Sequence, residues 1–197
     1  MGHRPIMYIH GFGSSGASGK VKQLRSILPG TEIHAPSLSH HPIIDLTVLM
    51  ETVKLNSIQS VVGSSLGGFY ALLLACRFRL RLVLINPSLT PWKTLADQIG
   101  THRIFGSGEK FVWSQESIDE LLTMRPALIQ ALCHTKTIGW ADVLVLLSRH
   151  DERLDPDSTA LLLRKATVLW DEEQGHRFDR LDAYADHIRS VVGAPQP

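Results

Sequence analysis

Val61-Val62-Gly63-Ser64-Ser65-Leu66-Gly67-Gly68-Phe69 decides the fold, because an apolar, strand-like run passes within it directly into a helical pattern. A turn that sharp needs small residues on both sides of its apex so that the two backbones can pass. Gly63-x-Ser65-x-Gly67 supplies them around a hydroxyl. The spacing is that of a nucleophile elbow, in which a serine is left exposed at a helix N-terminus. The amide of the next residue, Leu66, then faces the place where an oxyanion would develop.

Working outward, short apolar runs alternate with helical patterns, the signature of βα units around a largely parallel sheet. Six runs read as strands: Pro5 to Ile9, Glu32 to Ala35, Ser57 to Val62, Arg81 to Ile85, Asp142 to Leu147 and Thr167 to Trp170. The first, third, fourth and fifth are nearly continuous in Ile, Val and Leu, as strands covered on both faces must be. Ser18 to Leu28, Ile44 to Leu55, Leu66 to Phe78, Asp157 to Lys165 and Phe178 to Val191 carry the three- and four-residue spacing of helices. Residues 88–140 interrupt the alternation and read as a small helical, cap-like insertion without a core strand. Phe105-Gly-Ser-Gly-Glu109 is a turn within it, and Ser117-Ile-Asp-Glu120 has the form of a capping box. The expected fold class is therefore α/β, three layers around a mostly parallel six-stranded sheet, in a single domain over 1–197.

Composition narrows the function. With 197 residues, 44% hydrophobic and 20% charged, the chain can bury a core without staples. Lys and Arg total 20 against 19 for Asp and Glu, so no basic field exists to draw nucleic acid or an acidic membrane. Cys76 and Cys133 have neither metal spacing nor the density of a disulfide scaffold, and read as buried free thiols. No apolar run approaches a membrane span and none at the N-terminus suits a signal peptide, so a soluble cytoplasmic protein is expected.

A second glycine-rich segment, Ile9-His10-Gly11-Phe12-Gly13-Ser14-Ser15-Gly16, follows the first strand. It reads as an oxyanion loop in which the Phe12 amide approaches a substrate carbonyl. Its Gly11-x-Gly13-x-x-Gly16 also matches a dinucleotide fingerprint, but that reading wants an acid at the end of the next strand, and Glu32 begins it. A nucleophilic serine needs a base, and the base an orienting acid. Asp151 and His176 each lie just beyond a strand's C-terminal end, the edge where Ser65 also falls. Asp155 is the alternative acid. Of the ten histidines, His176 stands out by the Gly-His step after the last strand, and no pair has metal-ligand spacing. His10 reads as a residue that orients its own loop.

The order Ser65, Asp151, His176, together with the His10-Gly11-Phe12 loop, resembles the α/β-hydrolase superfamily. Within it the chain is similar to small bacterial YqiA-type esterases. The segments that carry the likeness are Tyr8-Ile-His-Gly-Phe-Gly-Ser-Ser15, Val62-Gly-Ser-Ser-Leu-Gly-Gly68, Val83-Leu-Ile-Asn-Pro87, Ile118-Asp-Glu-Leu121 and Asp151-Glu-x-x-Asp155 before Gly175-His176. This resemblance implies a hydrolase of short acyl esters, with a small-molecule substrate and no cofactor. The rival expectation is a binding or scaffold protein that keeps the fold without the chemistry. Trp92, Phe105, Phe111 and Trp113 in the insertion would either pack it or line an acyl pocket, with packing the favoured role.

Overall fold

Strands that are apolar at every position need cover on both faces, and the central strands of this chain have it. The computed structural model describes residues 4–133 and 139–193. Strands β1 (Ile6–Ile9), β2 (Ile33–His34), β3 (Ser60–Ser64) and β4 (Arg81–Ile85) are followed by a separate antiparallel hairpin of β5 (Gly100–Arg103) and β6 (Lys110–Trp113), then by β7 (Val143–His150) and β8 (Thr167–Gly175). The six strands other than the hairpin form one parallel sheet in the order β2-β1-β3-β4-β7-β8.

The two-residue period of the strands divides the core in two. Ile6, Tyr8, Val62, Val83, Ile85, Leu144 and Leu146 pack with α1 (Gly19–Ile27) and α8 (Ala185–Val192). Met7, Ile9, Val61, Leu82, Leu84, Val145 and Leu147 pack with α2 (Pro42–Leu55) and α3 (Leu66–Phe78). Leu163, just past α7 (Pro156–Leu162), joins that second cluster. The three-layer, six-stranded expectation is met. No helix among the described residues is long and apolar enough to cross a membrane.

Four details differ from the sequence reading. First, β7 and β8 run on to His150 and Gly175, through polar residues that apolar patterning assigns to loops, because each pairs with the other across a bulge between Ser148 and His150. Second, the insertion is not purely helical. Besides α4 (Pro91–Thr94), α5 (Gln115–Thr123) and α6 (Arg125–Cys133) it carries the β5–β6 hairpin, and Phe105-Gly-Ser-Gly-Glu109 is the hairpin's turn. Third, α5 is capped by Ser114, whose box closes with Ser117. The Glu120 carboxylate instead accepts the N–H of Ile43 in the first turn of α2, where an acceptor meets an otherwise unpaired amide. Finally, Phe178 and Leu181 are buried but lie ahead of the last helix, which starts at Ala185.

Trp113, Ile118, Leu121, Leu128 and Ala131 of the insertion belong to the same core as α3, so the insertion is packed into the fold rather than laid over it. Trp92, Phe111 and Trp113 are buried, as packing requires, whereas Phe105 is exposed. Cys76 is half-buried and Cys133 exposed, so neither is a core thiol.

The first turn of α3 crosses β1 at a single glycine. A Cβ built on Gly67 would stand 2.1 Å from the Ile9 carbonyl oxygen and 2.6 Å from that of His10. Backbone cannot yield as a flexible side chain can, so Gly67→Ala should lower stability by about 1–3 kcal/mol or more. Urea unfolding would show a lower midpoint with an unchanged slope.

Candidate active site

Ser65 sits between β3 and α3 at φ 53°, ψ −120°, a region that side chains other than hydrogen rarely occupy. Three main-chain bonds hold it there. Its N–H donates to Ile85 O at 3.0 Å, and its carbonyl accepts from Gly68 at 2.9 Å and Ser88 at 3.0 Å. A Cβ at Gly63 would meet Gly67 O at 2.4 Å, and one at Gly68 would meet the Pro87 Cβ at 2.6 Å, so the glycines flanking the elbow leave the room that the turn needs. Leu66, the first residue of α3, carries one of the amides that a helix leaves without an intrahelical acceptor.

The structure brings together the three side chains singled out in the sequence. His176 Nε2 stands 3.0 Å from Ser65 Oγ. On its other side, His176 Nδ1 stands 2.9 Å from Asp151 Oδ2 and 3.0 Å from Oδ1. A carboxylate can only accept, so Nδ1 carries the proton and Nε2 is left as the acceptor for the serine hydroxyl. The Asp151 side chain is 1% exposed and that of His176 18%. Burial alone would push the Asp151 carboxyl up. The hydrogen bond and charge of His176, with the amides of Arg153 and Leu154 donating to Oδ1, outweigh it and hold Asp151 below the usual carboxylate range.

Each partner is set by its strand end. Asp151 follows β7 directly and His176 follows β8 directly. The loop that carries His176 is folded by Asp171, whose carboxylate accepts the amides of Glu173 and Gln174, and by Gln174, whose side chain holds the Arg180 amide. The alternative acid, Asp155, is occupied otherwise: it caps α7, accepting from the Ser158 amide at 3.0 Å and the Ser158 hydroxyl at 2.5 Å. Arg149 pairs with Asp157 and Glu172 and lies over the Trp170 ring, so it leaves Asp151 to the histidine.

Opposite this pair runs the loop after β1. A Cβ on Gly11 would lie 3.0 Å from Ser65 Cβ and 3.6 Å from Oγ, which puts the backbone that leads into Phe12 against the serine. Gly16 makes a similar approach to the Ala35 carbonyl, where a Cβ would stand at 1.9 Å. Two of the fingerprint glycines are thus accounted for by the chain's own contacts. His10, fully buried, accepts the Leu38 amide on Nε2 and donates from Nδ1 to Gly11 O, and burial holds it below the usual histidine range. It orients its own loop, as expected.

The sequence reading missed the support behind Phe12. The Phe12 ring is edge-on to His40, His102, Phe111 and Trp113, at centroid distances of 5.1 to 5.9 Å. The hairpin turn adds a main-chain bond from Phe105 to Gly13 O at 2.7 Å. The alternation of buried Phe111 and Trp113 with exposed Lys110 and Val112 was the available signal. His40 stacks on Phe111 at 3.7 Å and accepts the Gly13 amide on Nε2 at 3.3 Å.

Comparison with known proteins agrees with this architecture. A profile of the uncharacterised protein family UPF0227 matches residues 5–193. A UPF0227 protein of Serratia proteamaculans is 30% identical over 200 residues, covering 96% of this chain and 99% of its own. The UPF0227 protein YcfP of Salmonella paratyphi A is 29% identical, covering 94% of this chain and 97% of its own. Among solved structures, Est1E from Butyrivibrio proteoclasticus superposes with a TM-score of 0.70 at 15% identity, over 98% of this chain and 90% of its own. A structure from the metagenome-derived lipolytic enzymes LipS and LipT gives 0.66 at 19% identity, over 98% and 95%. At those identities the likeness establishes the α/β-hydrolase fold.

Burial, and the neighbouring imidazoles of His10, His41 and His102, lower the His40 pKa from the ordinary 6.5 to about 4. Between those values the unfolded chain takes up a proton that the folded one refuses, so stability falls as pH falls through this window. The loss should be on the order of 2–3 kcal/mol. Urea midpoints at pH 4.5 and 7.5 should differ less in His40→Asn, which keeps a residue tolerant of the φ of 67° at that position.

Proposed function

The chain belongs to the UPF0227 family, and we propose that it is a serine hydrolase that cleaves short-acyl carboxylic esters through an acyl-enzyme. The observation that carries this reading is the unbroken hydrogen-bonded line from Asp151 through His176 to Ser65 Oγ, ending on a serine in a strained elbow.

In this reading Ser65 Oγ attacks the ester carbonyl while His176 Nε2 takes its proton. The imidazolium that forms is stabilised by anionic Asp151, which also fixes the tautomer. The tetrahedral intermediate collapses as His176 returns the proton to the leaving alcohol, and the acyl group stays on Ser65. Water then attacks the acyl-enzyme by the same proton path in reverse, releasing the acid and restoring the serine.

The amides of Phe12 and Leu66 are the proposed oxyanion donors. The Gly11 backbone in contact with Ser65, and the position of Leu66 at the start of α3, support that assignment. One such donor is worth about 3 kcal/mol in related chemistry. The reaction needs no cofactor. Short esters are favoured by the resemblance to YqiA-type esterases, and solved structures that share the fold include proteins described as lipolytic enzymes and as esterases.

The decisive experiment pairs p-nitrophenyl acetate and butyrate hydrolysis with intact-mass analysis after a fluorophosphonate. Wild type should gain one adduct, mapping to Ser65. Ser65→Ala should fold, gain none, and lose kcat by about 10⁴-fold or more. Folded wild type without adduct or turnover would leave a protein that keeps the fold for binding alone.

A further inference from the structure

Three side chains come from three strand ends, and the imidazole between them must satisfy two partners at once. Its aim is set by the backbone of His176, which follows a strand end and begins a polar loop. The polar groups of that backbone are taken by side chains from elsewhere. Glu152 Oε2 accepts the His176 N–H at 2.9 Å. Asn86 Nδ2 donates to the carbonyls of Gly175 and His176, at 3.3 and 3.1 Å.

We propose that Asn86 and Glu152 are positioning residues, a two-sided clamp on the His176 main chain that aims its ring at Ser65 and Asp151 together. The proposal rests on the triad reading above and adds to it two groups that never touch substrate.

Asn86 has the chemistry for this place. It is 1% exposed, at φ 39°, a conformation that Asn tolerates better than most side chains, and its own N–H donates to Leu146 O. Its amide orientation is fixed by its partners. The Ser148 N–H can only donate, so Oδ1 must face it, at 2.8 Å, and the NH₂ must face the two carbonyls. One side chain thereby ties the end of β4 to β7, which leads to the acid, and to the loop after β8, which holds the base. A carboxylate would meet the carbonyls with a second acceptor, and a hydroxyl would be too short to span both sides.

Glu152 works from the outside, directly after the acid. Its carboxylate lies across the 175–176 peptide, where a Cβ on Gly175 would stand 2.8 Å from Oε2. Glycine at 175 thus leaves the space that the carboxylate occupies. The amide of His176 is the largest influence holding the Glu152 carboxyl below its ordinary range.

The test is p-nitrophenyl acetate kinetics, with fluorophosphonate labelling used to count competent Ser65 per folded molecule. Glu152→Ala should lower kcat about tenfold with KM nearly unchanged, since the base is misaimed rather than the pocket altered. Glu152→Gln keeps an acceptor oxygen and should recover most of that loss. Gly175→Ala, in which the flexible carboxylate yields before the backbone does, should reproduce the Glu152→Ala defect at little cost in melting temperature. Asn86→Ala should lose about 100-fold in kcat. Because that variant also frees Ser148, Asn86→Asp is the companion: it keeps the acceptor toward β7 and turns the donor to the histidine loop into a charged second acceptor, so kcat should fall at least as far while the Ser148 bond stays.

Wild-type kcat and labelling rates per folded molecule in Glu152→Ala, Gly175→Ala and Asn86→Asp would overturn the clamp while leaving the triad standing. Variants that change only the melting temperature would do the same. Turnover surviving in Ser65→Ala would instead remove the triad reading and the clamp with it.

Discussion

A serine at φ 53°, ψ −120° carries about 1–3 kcal/mol of backbone strain and persists only where its surroundings over-determine it. Here they do so through main-chain bonds to the end of β4, to Ser88 and to the first turn of α3, and through glycines at 63, 67 and 68 that admit backbone where a Cβ would collide. Everything around the site follows from that geometry. The elbow has to pack against β1 for Gly67 to pass Ile9. The loop after β1 then lies against Ser65, and on the other side of β3 the ends of β4, β7 and β8 bring up Asn86, Asp151 and His176.

That dependence explains what could be read from the amino-acid order. Elbow, acid and base are short-range patterns: a glycine-flanked serine between strand and helix, and carboxylate and imidazole just past apolar runs. Each is visible locally, and the parallel sheet then carries them to one edge. The apolar continuity of β1, β3, β4 and β7 likewise marks a sheet covered on both sides. Where side chains are chosen by long-range contact, the pattern is silent. The polar ends of β7 and β8 are strand because they pair with each other across the bulge at Ser148. The β5–β6 hairpin has only four residues a side, so its alternation of Phe111 and Trp113 is easily taken for part of a helical insertion. Asp151 is favoured over Asp155 in one dimension only by its nearness to the strand end, and the structure separates them by giving Asp151 to His176 and Asp155 to the start of α7.

The insertion changes meaning once it is placed. Residues that read as cover over the sheet are wedged between the loop after β1 and the α3 face: Phe111 and Trp113 back Phe12, while α5 and α6 complete the core above α3. Buried, neutral His10 and His40 are part of the same wall, each accepting a main-chain amide that a protonated ring could not accept. Rigidity at the loop is therefore achieved with aromatic edges and imidazole lone pairs, while the buried Asp45 carboxylate holds the His40 segment by accepting the amides of Ser39 and His40.

The three groups of the site stand at positions 65, 151 and 176, and the last rides on β8, the edge strand that pairs with β7 alone. During synthesis from the N-terminus, the elbow and the loop after β1 leave the ribosome well before His176 does. A growing chain thus holds Ser65 without its imidazole partner until its final strand docks. The hydrogen-bonded line through Ser65, His176 and Asp151 and the parallel sheet itself are completed in the same event.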